Sequence, residues 1–457
     1  GFSPDADENL KAGTSAGANF DGTNACFNVV LGACAGQVIT SGSDNVAIGR
    51  CALGTSTVTG NKNLAIGCRA GNDITSGEFN LMIGANSGLA ISTGSYNIAF
   101  GKNAMEAGDV TGSQNIGIGH CAGRLLTSGC QNIMIGCRAG LAQTVGNRSI
   151  YIGLKAGCGF ISDGAAYADN IFIGRNVAAK AGDGSAVTAY GNIFMGYETG
   201  CEITTGTDNV MIGQSVANQN PLTGGMNVIL GSKAGHNFKC ASNNTVIGKC
   251  AGYSNLCSND NVMIGNSAGW ALAPSSSNGN NVFIGRYSGK CVTTGIQNIF
   301  MGEHAGCGCC DSTKGTGKDN IALGVSAGRG YTSGCFNIML GTCAGANIGE
   351  GKYNVFFGKY AARCITKNDN IAIGKCALLG SGTLNNNTGC FNIAIGYESM
   401  CSISTGTLNF AGGYEAGKSV TTGGSNIFLG VQAGKNVTTG TGNQYIGNSA
   451  GRCMCDG

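Results

Sequence analysis

The chain has 457 residues, of which 82 are Gly and only 3 are Pro. Charged residues make up 11% and the net charge is +3. Gly at this density inside helices would cost ~1 kcal/mol per site, which argues against a helical protein. The scarcity of Pro excludes collagen, and the low charge excludes a coiled coil or a charged disordered tail. Basic residues do not cluster, and no apolar run approaches the ~18 residues of a membrane-spanning helix. Neither nucleic acid nor membrane insertion is therefore expected. The sequence opens Gly1-Phe2-Ser3-Pro4 without Met and reads as a processed or excised segment.

Residues 1–27 read as an N-terminal segment carrying one degenerate copy of a repeat, starting at Asn9. From 28 to 451 the repeat is continuous: Asn, an apolar triplet, Gly, two variable residues, Ala or Ser, Gly. Its leading residues are Asn28, Asn45, Asn63, Asn80, Asn97, Asn115, Asn132, Ser149, Asn170, Asn192, Asn209, Asn227 and so on to Asn443. Residues 452–457 are a Cys-containing tail. Of the 23 intervals, 18 are 16–18 residues long and five are 20–22. Such a period is too short for two-helix or leucine-rich repeats. It predicts an all-β fold: a parallel β-solenoid of about 24–25 coils, mostly of 17 residues.

Each repeat offers one strand of about five residues, as in Asn170-Ile171-Phe172-Ile173-Gly174, and a weaker one before a Thr-Thr-Gly turn. Coils stacked at ~4.8 Å would give a rod on the order of 120 Å long. The Asn column is expected to be architectural, its amides bonding from coil to coil as in Asn ladders.

Counting the Asn as position zero, positions one and three are nearly always large and apolar, and are expected to fill the interior. Side chains alternate across a strand, so position two should face outward. It never carries a charge, and holds Met134, Phe172, Phe194, Met211, Phe283, Phe300, Met339, Phe356 and Phe428 among others. A stripe of that kind far exceeds what soluble monomers expose. It is the candidate assembly face, covered by further copies of the chain. A flattened coil with both parities internal is the alternative.

The 24 Cys recur at fixed phases of the repeat. Cys34 and Cys51, Cys51 and Cys68, Cys121 and Cys137, Cys240 and Cys257, and Cys291 and Cys307 are each separated by about one coil. Residues one coil apart fall within reach of a disulfide. These nine are candidate staples and imply an oxidising, extracellular setting. Cys307-Gly308-Cys309-Cys310 is the strongest metal-binding alternative.

The five long intervals carry polar inserts, such as Ala273–Gly279 and Asp311–Gly317, which are expected to loop out at one corner as contact loops or as tolerated excursions. Neither end shows a polar cap, and uncapped β ends are templates for strand addition. Head-to-tail stacking is therefore expected, with Cys26, Cys453 and Cys455 as a candidate end-joint. Chemistry-bearing motifs are thin. His120, His236 and His304 lie in different coils, and no phosphate loop, catalytic triad or paired carboxylate stands out. No enzyme, cofactor or metal site is expected. A Thr column (Thr75, Thr127, Thr204, Thr421) is the only trace of an ice-binding surface.

The unit Thr-Thr-Gly-x-x-Asn-Ile-x-Ile-Gly-x-x-Ala-Gly, exemplified by Thr204-Thr205-Gly206-Thr207-Asp208-Asn209-Val210-Met211-Ile212-Gly213, resembles repeats of bacterial and viral fibre proteins. It is similar to tail-fibre repeats and to the heads of trimeric autotransporter adhesins. That resemblance implies an elongated β-roll, often trimeric, at a cell or virion surface. The expected function is a structural subunit of an extracellular fibre, whose partner is itself. A surface-binding shaft recognising glycans or a host receptor is the alternative.

Overall fold

A computed structural model describes residues 4–21, 24–160, 168–180, 187–272, 279–308, 315–381 and 387–455. The insert residues 161–166, 273–278 and 311–314 lie outside the described residues. The chain divides into two compact units, Gly1–Met226 and Asn227–Gly457, and each is a parallel β-solenoid. The first runs from β1 (Leu10–Ala12) to β12 (Val210–Gln214), every strand pairing in parallel with the next. The second runs likewise from β13 (Val228–Leu230) to β25 (Gln444–Ile446). The degenerate copy at Asn9 forms a true coil, since Leu10 pairs with Val29.

Strands are shorter than the sequence pattern suggests, three residues in all but two coils. The weaker second strand reduces to isolated parallel bridges such as Ile39 with Val58 and Ile203 with Leu222. The cause is the density of left-handed backbone. In a typical coil the positions just before the Asn and four, six and eight after it all have positive φ, as at Gln131 (62°), Gly136 (133°), Arg138 (59°) and Gly140 (57°). Position four must be Gly. A Cβ on Gly136 would lie 2.5 Å from the carbonyl oxygen of Gly153 in the next coil.

The interior corrects the expected parity. Asn points inward and is essentially fully buried from Asn9 to Asn426. Period-two alternation then sends position two inward and positions one and three outward. Met134, Phe172, Phe194, Met211, Phe283, Phe300, Met339, Phe356 and Phe428 are therefore core residues, at most 1% exposed, and do not form an assembly face. Their rings stack from coil to coil, Phe172 on Phe194 at 5.2 Å and Phe283 on Phe300 at 5.4 Å. Position seven (mostly Ala or Ser) and position eleven (mostly Ile, Val, Leu or Phe, with Gln143, Asn255 and Tyr331 as buried exceptions) complete the core.

Core volume is balanced within and between coils. In four coils where position two is Ala, position eight supplies the bulk; in four others, Ala65, Gly117, Ala322 and Ala411, position eight is Gly and large side chains of neighbouring coils fill the space. Leu53 accompanies Ala47, Met105 accompanies Ala99 and packs 3.0 Å from the Cβ direction of Gly117, Leu378 accompanies Ala372, and Met400 accompanies Ala394. These four are fully buried yet hold φ of 47–50°. A side chain in left-handed backbone costs roughly 1–2 kcal/mol, less than the 2–5 kcal/mol lost when a buried Leu or Met is truncated. Leu378→Gly should therefore destabilise the second unit by about 2 kcal/mol in urea titration, cavity cost outweighing relief of the backbone. Ala372→Met added to it restores the Met82–Gly88 arrangement of another coil and should recover most of the loss.

Candidate functional site: the outward sheet face

With position two inside, the outer face of every strand is built from positions one and three. Across twenty-five strands these are Ile, Val, Leu, Phe, Met or Ala, with Thr245, Gln444 and Gly412 as the exceptions and no charge anywhere. Coil neighbours half-bury most of them, but Phe100, Ile212, Met301, Phe357, Ile373 and Ile395 are each at least 40% exposed. The face continues into position five on one side and the residue before the Asn on the other. All of the exposed large hydrophobic side chains among the described residues lie in these four columns except Leu125, Tyr190, Leu256, Trp270 and Met454.

Stacked rings edge the face. Phe79 lies 4.9 Å from Tyr96 with the Lys62 ammonium over its ring, and Phe336 lies 5.1 Å from Tyr353 with Lys318 over it. On the other edge Tyr397 stacks on Tyr414 at 5.3 Å and Arg175 covers Tyr197 at 4.3 Å. At ~4.8 Å per coil and ~3.3 Å per residue, seven positions over twelve coils present about 1,300 Å² in one unit. That exceeds the ~800 Å² each partner buries in a standard interface and the few hundred Å² of apolar patch a monomer tolerates. An apolar centre with a charged and aromatic rim is the anatomy of a protein–protein interface.

The Asn column binds coil to coil at 0–2% exposure. Asn115 donates its backbone N–H and its Nδ2 to Asn97 Oδ1 at 2.9 and 3.0 Å, and Nδ2 also donates to the Gly129 carbonyl at 2.8 Å. Its own Oδ1 accepts the same pair of bonds from Asn132, at 3.0 and 3.1 Å. At the exception, Ser149, the N–H still donates to Asn132 Oδ1 and the hydroxyl accepts from the Asn170 N–H at 3.3 Å.

The cysteines fall into several environments. Cys240 and Cys257 form a disulfide with a Cα separation of 4.5 Å, one coil apart. Cys291 is disulfide-bonded, and Cys307 is buried with its Sγ 3.7 Å from the Gly308 carbonyl oxygen. Cys34, Cys51, Cys68, Cys121 and Cys137 are thiols. Arg50 Nη2 lies 3.5 Å from the Cys68 sulfur, and the His120 ring sits between Cys121 (3.6 Å) and Cys137 (3.9 Å). Cys26, half-buried, and Cys453 and Cys455, both exposed, are thiols too. Burial pushes the Cys201 thiol up to about 11.

The Thr hydroxyls are turned to structural use. Thr75, Thr127, Thr204 and Thr421 each donate to a backbone carbonyl of the next coil at 3.1–3.2 Å. No three His, Cys, Asp or Glu side chains converge as a metal site would require among the described residues. In the second unit a cleft of about 700 Å³ is lined, among the described residues, by the cationic side chains Lys290, Arg329 and Arg363 and by His304, whose Nε2 lies 3.9 Å from Glu303 Oε1. Burial and the neighbouring Arg329 lower the His304 pKa from its ordinary value.

One charged cluster bears on stability. Glu415 accepts from Lys418 and Lys435 at 2.6 Å and from Gln432 at 2.9 Å, while Lys418 also pairs with Glu398. The two lysines hold the Glu415 carboxyl down at about 2. A depressed carboxylate stabilises the fold above its ordinary pKa and loses that contribution as pH falls toward the folded value. Glu415→Gln should thus lower the melting temperature of the second unit at pH 7, and the gap to wild type should close between pH 5 and 2.

No protein-family model matches the chain, and no significantly similar curated protein is found.

Proposed function

We propose that this chain is a structural subunit of an extracellular fibre, associating with further copies of itself through the outward sheet face. The observation that carries this reading is the pair of charge-free columns at positions one and three, maintained through every coil. A monomer in water has no use for such a surface. The Asn ladder and the Cys240–Cys257 disulfide fit a mechanical role, stiffening stacked coils against unfolding. The same disulfide is in keeping with an oxidising location at a cell or virion surface. Function on this reading is load-bearing and not enzymatic, with no cofactor and no nucleic acid or inserted membrane as partner. On this reading the thiols of Cys26, Cys453 and Cys455 are candidates for cross-links between copies.

Electron microscopy of the purified full chain under non-reducing and then reducing conditions tests this. Filaments or laterally paired rods are expected, and dispersed single particles at every concentration would overturn it. The cationic cleft favours a second reading, a shaft that binds an anionic surface ligand. Arg329→Gln with Arg363→Gln should then abolish binding to a sulfated polysaccharide and leave assembly intact.

A further inference from the structure

The two rims of the outward face carry opposite charge. The column before the Asn holds Glu8, Asp44, Asp169, Asp208, Asp260, Asp319 and Asp369 against only Lys62 and Arg148. Position five holds Arg50, Lys102, Arg175, Lys249, Arg286, Lys359 and Lys375 against only Glu303. Three coils carry both signs, pairing Asp44 with Arg50, Asp169 with Arg175 and Asp369 with Lys375 across the strand. No coil carries the same sign on both rims. Lys102 and Lys359 share their coils with Tyr96 and Tyr353, and Tyr397 shares its coil with Phe391.

The two members of such a pair flank opposite ends of one strand, and no ion pair links them within the chain among the described residues. Asp169 instead pairs with Arg148 of the preceding coil at 2.7 Å. The pattern acquires a purpose when a second face is laid on the first. Within each unit, a two-fold axis parallel to that unit's own solenoid axis sets each coil against the same coil of the partner and swaps the rims. Asp then meets Arg or Lys in the three two-signed coils, and aromatic meets cation or aromatic in the three coils of Tyr96, Tyr353 and Phe391, while the remaining rim charges meet neutral residues and never a like charge. A two-fold axis across the solenoid would set acidic rim on acidic rim.

We propose that the occupant of the outward face, in each unit, is the same unit of a second copy of this chain, paired with it in parallel and in coil register. This deepens the self-association reading and rests on it. An isologous interface requires that residue i meet j while j meets i, and the same-coil pairs satisfy that condition without any shift between copies. Opposed rims fix register and orientation, and the charge-free centre supplies the burial.

Sedimentation equilibrium of the full chain at low salt tests the orientation through charge exchange. Asp44→Lys with Asp369→Lys should weaken self-association tenfold or more. Lys62 already occupies the same position with φ of 58°, so the backbone accommodates the change. Adding Arg50→Asp and Lys375→Asp to that chain should restore association. Mixing the Asp44→Lys/Asp369→Lys chain with an Arg50→Asp/Lys375→Asp chain should give a mixed pair tighter than either alone. Failure of restoration and of mixing overturns the parallel register. If the Asp variants associate as wild type while Ile338→Lys with Leu340→Lys prevents association, the register falls and the self-association reading stands. If neither set alters association, both fall.

Discussion

Asn115→Asp should prevent the first unit from folding at neutral pH, whereas Asn115→Ser should leave it folded. The Asn115 amide spends its donors on Asn97 Oδ1 and the Gly129 carbonyl and its acceptor on two bonds from Asn132, all without access to water. A carboxylate there would face two acceptors and be buried without a cation, at a cost of several kcal/mol. The penalty grows as pH rises past the ordinary Asp value of about 3.9. The variant should therefore be more stable, relative to wild type, at pH 4 than at pH 7. Asn115→Ala strands the Asn132 backbone N–H and should cost about 3 kcal/mol. Ser keeps an acceptor for that N–H, as Ser149 does for Asn170, and should cost about 1 kcal/mol. Circular dichroism melts of the four chains at the two pH values check this order. Ser as damaging as Asp would show that the ladder bonds are incidental.

The solenoid was legible because its period leaves few alternatives, and the Asn, Gly and Ala-Gly columns punctuate every coil. The parity of the strand was not legible from hydrophobicity, because all three strand positions are apolar. The discriminating signal is size. Position two ranges from Gly117 to Phe172, and lost bulk is made up at position eight of the same coil by Leu53, Met105, Leu378 and Met400 or by side chains of neighbouring coils, behaviour only a packed interior demands. Positions one and three hold a nearly constant Ile, Val or Leu, as a flat outer surface does. The direction of Asn carries the same information, since an inward amide forces position two inward. Disulfide choice was unreadable for another reason. Several cysteine pairs are one coil apart, yet local partners such as His120 and Arg50 engage the thiols of Cys121, Cys137 and Cys68.

Lysine on the outward columns should separate assembly from folding. Ile133→Lys with Ile135→Lys in the first unit, and Ile338→Lys with Leu340→Lys in the second, place ammonium groups where side chains already reach water. Each unit should lose no more than about 1 kcal/mol, the range of surface substitutions. Phe172→Lys, one parity away, buries the charge in the ring stack and should unfold the first unit. In an assembled pair the same outward lysines would lie in the dry centre of the interface, opposite lysines of the partner. Burying unpaired charge costs several kcal/mol, so association should weaken at least a hundredfold.

Sedimentation velocity across a concentration series compares the assembly state of wild type with that of the four-lysine chain. Wild type should sediment as paired or larger species and the folded four-lysine chain as a monomer. A wild type that remains monomeric throughout, with Ile338, Phe357 and Ile395 open to water, would contradict the account.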